Sequence, residues 1–337
     1  MLLIAFGTRP EWIKIKPVID TIEGKIPYRL LFTGQHADII DDSIKNYQYS
    51  QIEIKNDMSP NRLDAICCSV MSQIDEHLDR VTHVMVQGDT TTVFATALAC
   101  FHRKIPVIHL EAGLRTWDNE NPYPEEFNRQ ATGSIADIHL CPTLDAAHNL
   151  IKEHRKPNKT YIVGNTVLDN LAGQKSEGED TILVTLHRRE NHEQILEWFK
   201  EINLLASKYK EYKWILPIHP NPNVLKHKNI LTNVKVCDPL PHGELIDILK
   251  RCKVVITDSG GIQEESAFFR KPCIVCRKTT EREEGIGDFS WLCGYPEDLE
   301  NLFEDKKDYK IDKSLECPYG DGKASEKILS LLKSNIL

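Results

Sequence analysis

Short runs of consecutive apolar residues alternate along the chain with longer stretches in which apolar positions recur at helical spacing. In the first half the runs are LLIAF (2–6), RLLFTG (29–34), HVMVQG (83–88), PVIHL (106–110), IHLCP (138–142) and YIVG (161–164). Runs that are apolar throughout, rather than at alternate positions, suit strands covered by helices on both faces. The pattern predicts βαβα units and a parallel sheet. A polar, glycine-bearing stretch, QKSEGED (174–180), interrupts it. The pattern then restarts with TILVTL (181–186), WILPI (214–218), VKVC (234–237), VVITD (254–258) and PCIVC (272–276). Two Rossmann-like, doubly wound units are therefore expected, with a boundary near residues 166–180. The tail GKASEKILSLLKSNIL, from Gly322, spaces Ile328, Leu329, Leu331, Leu332 and Leu337 as an amphipathic helix does. Two such units facing each other leave a cleft at the carboxyl ends of their strands, where ligands of open α/β sheets bind.

At 337 residues the chain exceeds what one hydrophobic core usually supports, in line with two units. With 41% hydrophobic and 27% charged residues it can fill cores and keep a polar surface, which sets aside disorder, collagen and coiled coil. Its 42 Lys and Arg against 50 Asp and Glu leave a net charge of -8, and no dense basic run supplies the footprint that nucleic acid requires. No nucleic-acid partner is expected, although a local cationic pocket for a phosphorylated ligand is compatible with that balance. The start MLLIAFGTRPEWIK lacks the basic n-region and cleavage site of a signal peptide, and no stretch approaches the ~18 apolar residues of a membrane span. The expected setting is cytoplasmic, with no membrane. Of the ten cysteines, Cys67, Cys68, Cys100, Cys141, Cys252, Cys273 and Cys276 lie in apolar runs, as buried thiols do. The CxxC of Cys273 and Cys276 has no second pair at ligand spacing and reads as a strand, so no metal is expected.

If ligands sit where strands end, the residues after each run carry the chemistry. LLIAF leads into Gly7-Thr8-Arg9-Pro10: Gly7 frees the turn, Arg9 offers a planar donor fork, and Pro10 suits the start of a helix carrying Lys14. A plain strand exit with a solvated Arg9 explains the same residues. The run at 83–88 continues as Asp89-Thr90-Thr91-Thr92, where Asp89 is a good N-cap and also a carboxylate at a strand's carboxyl edge. PVIHL leads into Glu111-Ala112-Gly113-Leu114-Arg115-Thr116, a second acid at a neighbouring strand end. PYPEEFNR (122–129) sets Glu125 four residues before Arg129 on one helical face, as in a surface ion pair. Three acids thus accumulate in the first unit, and clustered carboxylates near arginine can have their ionisations pushed apart into base and acid. In the second unit His187-Arg188-Arg189-Glu190-Asn191 leaves one strand and His219 leaves another, between prolines. VVITD then enters Ser259-Gly260-Gly261-Ile262-Gln263-Glu264-Glu265, a strand, small-residue turn and helix whose N–H groups and positive end suit a diphosphate. Glu265 is placed to accept from ribose hydroxyls, and Arg277, Lys278 and Arg282 follow the next strand as cations on the same side. No GxGxxG occurs, so no dinucleotide cofactor is indicated.

Taken in order, GTRPEWIK, TGQH, QGDTTT, HLEAGLRT, PYPEEFNRQ, VGNTVLD, HRREN, TDSGGIQEE and TTER resemble the non-hydrolysing UDP-N-acetylglucosamine 2-epimerase family, from residue 2 to about residue 284. The resemblance implies a GT-B-like α/β fold, two Rossmann-like doubly wound parallel-sheet domains facing a central cleft. Their expected extents are 1–168, joined by the terminal helix 322–337, and 169–321. It also implies a homodimer, no metal, no cofactor, and interconversion of UDP-N-acetylglucosamine and UDP-N-acetylmannosamine for surface polysaccharide precursors. Catalysis would fall to Asp89, Glu111, Glu125 and His187. Binding of the UDP-sugar would fall to Arg9, Lys14, Arg129, His219, Leu240, Leu245, Ser259, Gly260, Gly261, Glu265 and Arg282. The chain departs from the family pattern at Ala37-Asp38 after TGQH, at DPLPHGEL (238–245), which lacks the usual aromatic residue, and at Glu283 in place of proline. A UDP-sugar with other decoration, such as a 2,3-diacetamido uronate, remains an alternative substrate. A hydrolysing relative and a GT-B glycosyltransferase are the rival activities, set apart by the QGDTTT and EAGLRT forms and by the ordered acids.

Overall fold

The computed structural model describes residues 1–35, 42–155, 159–178, 180–188 and 191–336. The chain divides into two compact units, Met1–Ala172 with Gly320–Leu337, and Gly173–Tyr319. In the first unit the elements run β1 (Leu2–Phe6), α1 (Arg9–Ile22), β2 (Tyr28–Phe32), β3 (Tyr49–Gln51), α2 (Arg62–Gln73), β4 (His83–Gln87), α3 (Thr91–His102), β5 (Val107–Leu110), α4 (Glu125–Ile135), β6 (Ile138–Cys141), α5 (Leu144–Lys152) and β7 (Thr160–Ile162). In the second they run β8 (Thr181–Thr185), α6 (Ile195–Lys208), β9 (Lys213–Pro217), α7 (Pro222–Leu225), β10 (Lys235–Cys237), α8 (His242–Leu249), β11 (Cys252–Thr257), α9 (Gly260–Phe268), β12 (Cys273–Val275), β13 (Ser290–Leu292) and α10 (Leu299–Lys306). A last helix, α11 (Ala324–Leu331), returns to the first unit and packs on α1.

Among the described residues the first sheet has seven strands in the order β3-β2-β1-β4-β5-β6-β7, and the second six in the order β10-β9-β8-β11-β12-β13. Every pairing is parallel. The continuous apolar runs explain this: Leu2–Phe6 and Thr181–Thr185 are buried at every position, with a core cluster on each face of the first sheet. The winding reverses between β1 and β4 and again between β8 and β11, and such a reversal opens a crevice at the carboxyl ends of the two central strands.

Two edge strands escape the hydrophobic pattern. Tyr49–Gln51 is exposed throughout and carries no apolar run, and Ser290–Leu292 is equally short. The tail helix is present. Ile328 and Leu332 join the core beneath β1, and the Asp169 carboxylate caps its start, accepting from the N–H of Ala324 (2.9 Å) and Ser325 (2.6 Å). Leu337 lies outside the described residues, as do His36, Ala37, Asp38, Arg189 and Glu190. Cys273 and Cys276 occupy β12 and its exit and are buried free thiols.

One glycine of the first unit is fixed by packing. Gly113 has φ +91°, and a Cβ there would lie 2.1 Å from the Ala146 carbonyl oxygen at the start of α5. Gly113→Ala is expected to lower stability by roughly 3 kcal/mol, through left-handed strain plus displacement of backbone. Urea denaturation monitored by circular dichroism measures it, with Gly173→Ala as a comparison for strain alone, since that φ +78° glycine meets nothing within 4 Å.

Candidate functional site

The crevice of the first unit is built from the turns leaving β1, β4 and β5. After β1, Thr8 caps α1 and Glu11 closes a capping box with it. That carboxylate reaches further than a box requires. Its Oε2 accepts from the N–H of Gly7 and of Thr8 (3.1 Å), and its Oε1 accepts from the Thr90 hydroxyl, in the turn after β4. Glu11 is 2% exposed, and burial pushes its carboxyl up to about 7 against the pull of its three hydrogen bonds, with nearby Asp89 adding to the rise. Gly7 has no room for a side chain, because a Cβ would lie 2.4 Å from Thr33 Oγ1 and 2.6 Å from Thr92 Oγ1.

Asp89 lies in the β4–α3 turn but does not cap α3. Thr90 does, accepting from the N–H of Val93 at 3.3 Å, because the chain bends at Gly88 (φ +84°) and sets the cap one residue later. Asp89 is thereby released to meet Arg129, whose Nε donates to Oδ2 at 2.8 Å. The same turn is pinned twice more. Asn128 donates to the Asp89 carbonyl at 2.9 Å, and His109 on β5 donates from Nε2 to the Gly88 carbonyl at 2.7 Å. Burial drives the His109 imidazole down to about 4, so it serves as a neutral donor.

Glu111 follows β5 at φ +62°, a region that strains a residue bearing a Cβ and that concentrates at functional sites. Lys14 of α1 donates to both its carboxylate oxygens at 2.6 Å, Asn165 donates to Oε1 at 3.0 Å, and Gln87 donates to Oε2. Glu125 is half-buried at the first residue of α4. Spacing sets Glu125 and Arg129 on one helical face, and the structure adds a contact of Arg129 with Glu126, at 3.2 Å. Glu126 is the inward-facing acid of the pair: fully buried, it accepts from the N–H of Thr116 (3.0 Å) and Trp117 (3.1 Å) and so fixes the loop after β5. Arg9 begins α1, with a buried Nε that meets no acceptor among the described residues.

In the second unit the bridging carboxylate is Asp258, fully buried at the end of β11. It accepts from the N–H of His187 (2.9 Å) and Arg188 (2.9 Å) and from Asn191 Nδ2 (3.0 Å), and stands 3.3 Å from His187 Nδ1. The His187 and His219 rings stack at 5.7 Å, and burial lowers both imidazoles, so each favours its neutral form. The Asn221 N–H donates to His219 Nδ1 at 3.2 Å, which leaves the ring hydrogen on Nε2.

At the start of α9 the Ser259 side chain makes no capping hydrogen bond and the first turn holds no acid. Gly260 leaves room there for the Arg282 guanidinium, whose carbon would lie 2.8 Å from a Cβ at that position. Of the cations that follow β12, Arg277 and Arg282 are buried and partnered. Arg282 donates to Glu264 (2.8 Å) and Glu281, and Arg277 to Glu281 at 2.9 Å. Buried Glu265 accepts from His242 Nε2 at 2.7 Å, at the start of α8, in the loop without the aromatic residue. Leu240 precedes that helix and Leu245 lies on it, both half-buried. Glu11, Asp258, Asn165 and His242 were not singled out by sequence reading. For Glu11 a signal existed, the Thr8-x-x-Glu11 spacing; the other three meet their partners only through tertiary contact. Among the described residues no group of three His, Cys, Asp or Glu side chains is arranged to hold a metal, and no helix is long and apolar enough to cross a membrane.

Two parallel α/β units, each with a stitched crevice at its winding reversal, define a GT-B-like protein of the nucleotide-sugar kind. The sequence model of the family described as UDP-N-acetylglucosamine 2-epimerase matches residues 21–333. The UDP-N-acetylglucosamine 2-epimerase of Campylobacter jejuni is 35% identical, over 98% of this chain and 97% of its own. The solved UDP-GlcNAc 2-epimerase of Neisseria meningitidis, bound to UDP-GlcNAc, superposes with TM-score 0.87 at 34% identity, covering 99% of this chain and all of the other. That of Methanocaldococcus jannaschii, in complex with UDP-GlcNAc and UDP, gives TM-score 0.83 at 31% identity, over 98% and 99% of the two chains. The chain belongs to the UDP-N-acetylglucosamine 2-epimerase family.

Asp258→Ala removes an acceptor that three buried or half-buried donors share. It is expected to destabilise the protein by roughly 3 kcal/mol, whereas Asp258→Asn, which keeps one acceptor oxygen, loses about half as much. Denaturant titration of both variants tests the bridge; equal and small losses would show that it is dispensable.

Proposed function

We propose that the protein is a non-hydrolysing isomerase that interconverts UDP-N-acetylglucosamine and UDP-N-acetylmannosamine. The observation that carries this reading is the pair of strand-end carboxylates, Asp89 held by Arg129 and Glu111 held by Lys14, Gln87 and Asn165. In a family whose relatives are solved with UDP-GlcNAc, carboxylates so oriented suit proton transfer at a sugar carbon. Sugar chemistry is assigned to the first unit, as domain 1–168 with helix 322–337, and UDP to the second, as domain 169–321.

The C2 hydrogen is not acidic enough for simple deprotonation. One carboxylate therefore takes the C2 proton as the C1–O bond breaks; the bonding pair leaves with UDP, and a C1–C2 double bond forms in 2-acetamidoglucal. In the return step a UDP oxygen attacks C1 and a second acid protonates C2 from the opposite face. Asp89, Glu111 and Glu125 supply the carboxyl groups, with His187 beside the leaving group. The uncapped start of α9, under the Arg282 guanidinium, offers N–H groups and the helix dipole to the diphosphate. Glu265 receives the ribose hydroxyls, Leu240 and Leu245 the base, and Arg9, Lys14, Arg129, His219, Ser259, Gly260 and Gly261 line the ligand. The reaction needs no metal or redox cofactor, and its product feeds cytoplasmic assembly of surface polysaccharide precursors. A homodimer goes with this reading. Phe101 of α3 and Phe127 of α4, 56% and 51% exposed on two helices that pack together, supply apolar surface for a second copy.

Incubation with UDP-GlcNAc in deuterated water, followed by NMR, is expected to place deuterium at C2 of an intact UDP-sugar. Free sugar with UDP would indicate the hydrolysing reaction, and turnover only of a diacetamido uronate would move the substrate. Asp89→Asn, Glu111→Gln and Glu125→Gln should each lower turnover by ~10²–10⁴ while UDP affinity stays near that of the wild type. A parallel loss of UDP binding would remove these acids from the chemical step.

A further inference from the structure

Glu11 takes no part in the chemistry above, yet it is the carboxylate that joins the β1–α1 turn to the turn bearing Asp89. We propose that Glu11 is a positioning residue of the first-unit crevice, and that gain or loss of its proton reverses the Glu11–Thr90 hydrogen bond and so resets the donor beside Asp89. This rests on the epimerase reading for its catalytic consequence, not for the proton itself.

The geometry fixes where that proton resides. Oε2 faces two backbone N–H groups, Gly7 and Thr8, neither of which can accept, so a proton must sit on Oε1, against Thr90. When Glu11 is ionised, the Thr90 hydroxyl donates to Oε1. When Glu11 is protonated, its O–H donates to Thr90 Oγ1, which also accepts from the Val93 N–H at 3.3 Å. The Thr90 hydrogen is then turned out of the Glu11 contact, on a half-buried residue adjacent to Asp89. A helix cap alone needs neither the burial nor the bond to a second turn.

The charged groups around this carboxyl do not hold it ionised. Asp89, from the β4–α3 turn, opposes ionisation. On the same helix Lys14 is directed to Glu111, and the buried Arg9 Nε meets no acceptor among the described residues; Arg129 of α4 is directed to Asp89. Burial is the dominant cause of the shift from 4.5 to about 7, so the exchange falls within the working range of an enzyme.

Two experiments separate the proton from the reaction. A carboxyl whose folded value is raised binds more protons folded than unfolded between pH 4.5 and about 7, so it makes stability fall as pH rises through that window. The stability of Glu11→Gln relative to wild type should therefore grow from pH 4.5 to about 7 and be flat above it, whether or not any substrate is turned over. A difference independent of pH overturns the proposal. In the epimerase assay the wild-type kcat should change through an inflection near pH 7 with KM steady. Glu11→Gln copies the acid form, its amide oxygen facing Gly7 and Thr8 and its NH₂ facing Thr90, and should hold kcat at the low-pH value of the wild type. Thr90→Val should lose the inflection too, and Glu11→Ala should lower kcat about 10- to 100-fold, as a displaced turn does. An inflection retained in Glu11→Gln also overturns the proposal. Absence of turnover in the wild type, with the stability series as expected, would instead reject the activity and leave the Glu11 proton in place.

Discussion

One buried carboxylate across each winding reversal is the constraint on which both crevices depend. A doubly wound sheet brings two turns side by side where its winding changes, and those turns expose backbone N–H groups that neither strand nor helix satisfies. Glu11 gathers such groups from the first turn and a hydroxyl from the second; Asp258 gathers the turn after β8 from the end of β11. Each carboxylate loses hydration, and each is compensated by several convergent donors rather than by one cation. The compensation differs in degree. Asp258 also receives Asn191 and lies near an imidazole, whereas Glu11 faces the charge of Asp89 and is driven toward its acid form.

From these bridges the placement of the other groups follows. With the β4–α3 turn pinned by Thr90, by Asn128 and by His109, Asp89 has a fixed backbone from which to meet Arg129. Glu126 accepts from the backbone N–H groups of the loop after β5 and shares Arg129 with Asp89, and so ties the α4 side of the crevice together. A site whose donors and acceptors are already oriented does not have to reorganise as charge moves, and that preorganisation is the largest electrostatic contribution an active site makes.

How much of this was legible in the sequence follows from the range of each interaction. The central strands announced themselves because burial on both faces demands apolar residues at every position, and the edge strands Tyr49–Gln51 and Ser290–Leu292 did not, because pairing on one side with three residues leaves no such demand. Strand-end acids were legible for the same reason: where an apolar run stops, the next charged residue stands at the crevice. Local chemistry alone could not choose between Asp89 and Thr90 as cap, since both are good caps; the bend at Gly88 chose. Helical spacing did not report that Glu126, three residues before Arg129, also meets it, because that contact comes with the burial of Glu126 against the loop after β5. Asn165 and His242 answer to partners 54 and 23 residues away, a distance no local pattern reports.

The helix starts show how the same fold element is closed in one place and left open in another. The starts of α1 and α3 are occupied by the chain's own oxygens, from Thr8 with Glu11 and from Thr90. The start of α9 is not: Ser259 makes no cap, the first turn has no acid, and the guanidinium nearest to Gly260 is already held by Glu264 and Glu281. An anion arriving at α9 would therefore meet oriented N–H groups and a dipole, beside an arginine whose charge is largely offset. For a reaction in which the diphosphate must leave the sugar and then return to it, such a site has a clear merit. In the reaction proposed above it would stabilise the departing charge by directed hydrogen bonds, without the excess Coulomb attraction that a cluster of unpaired cations would exert on UDP at every stage.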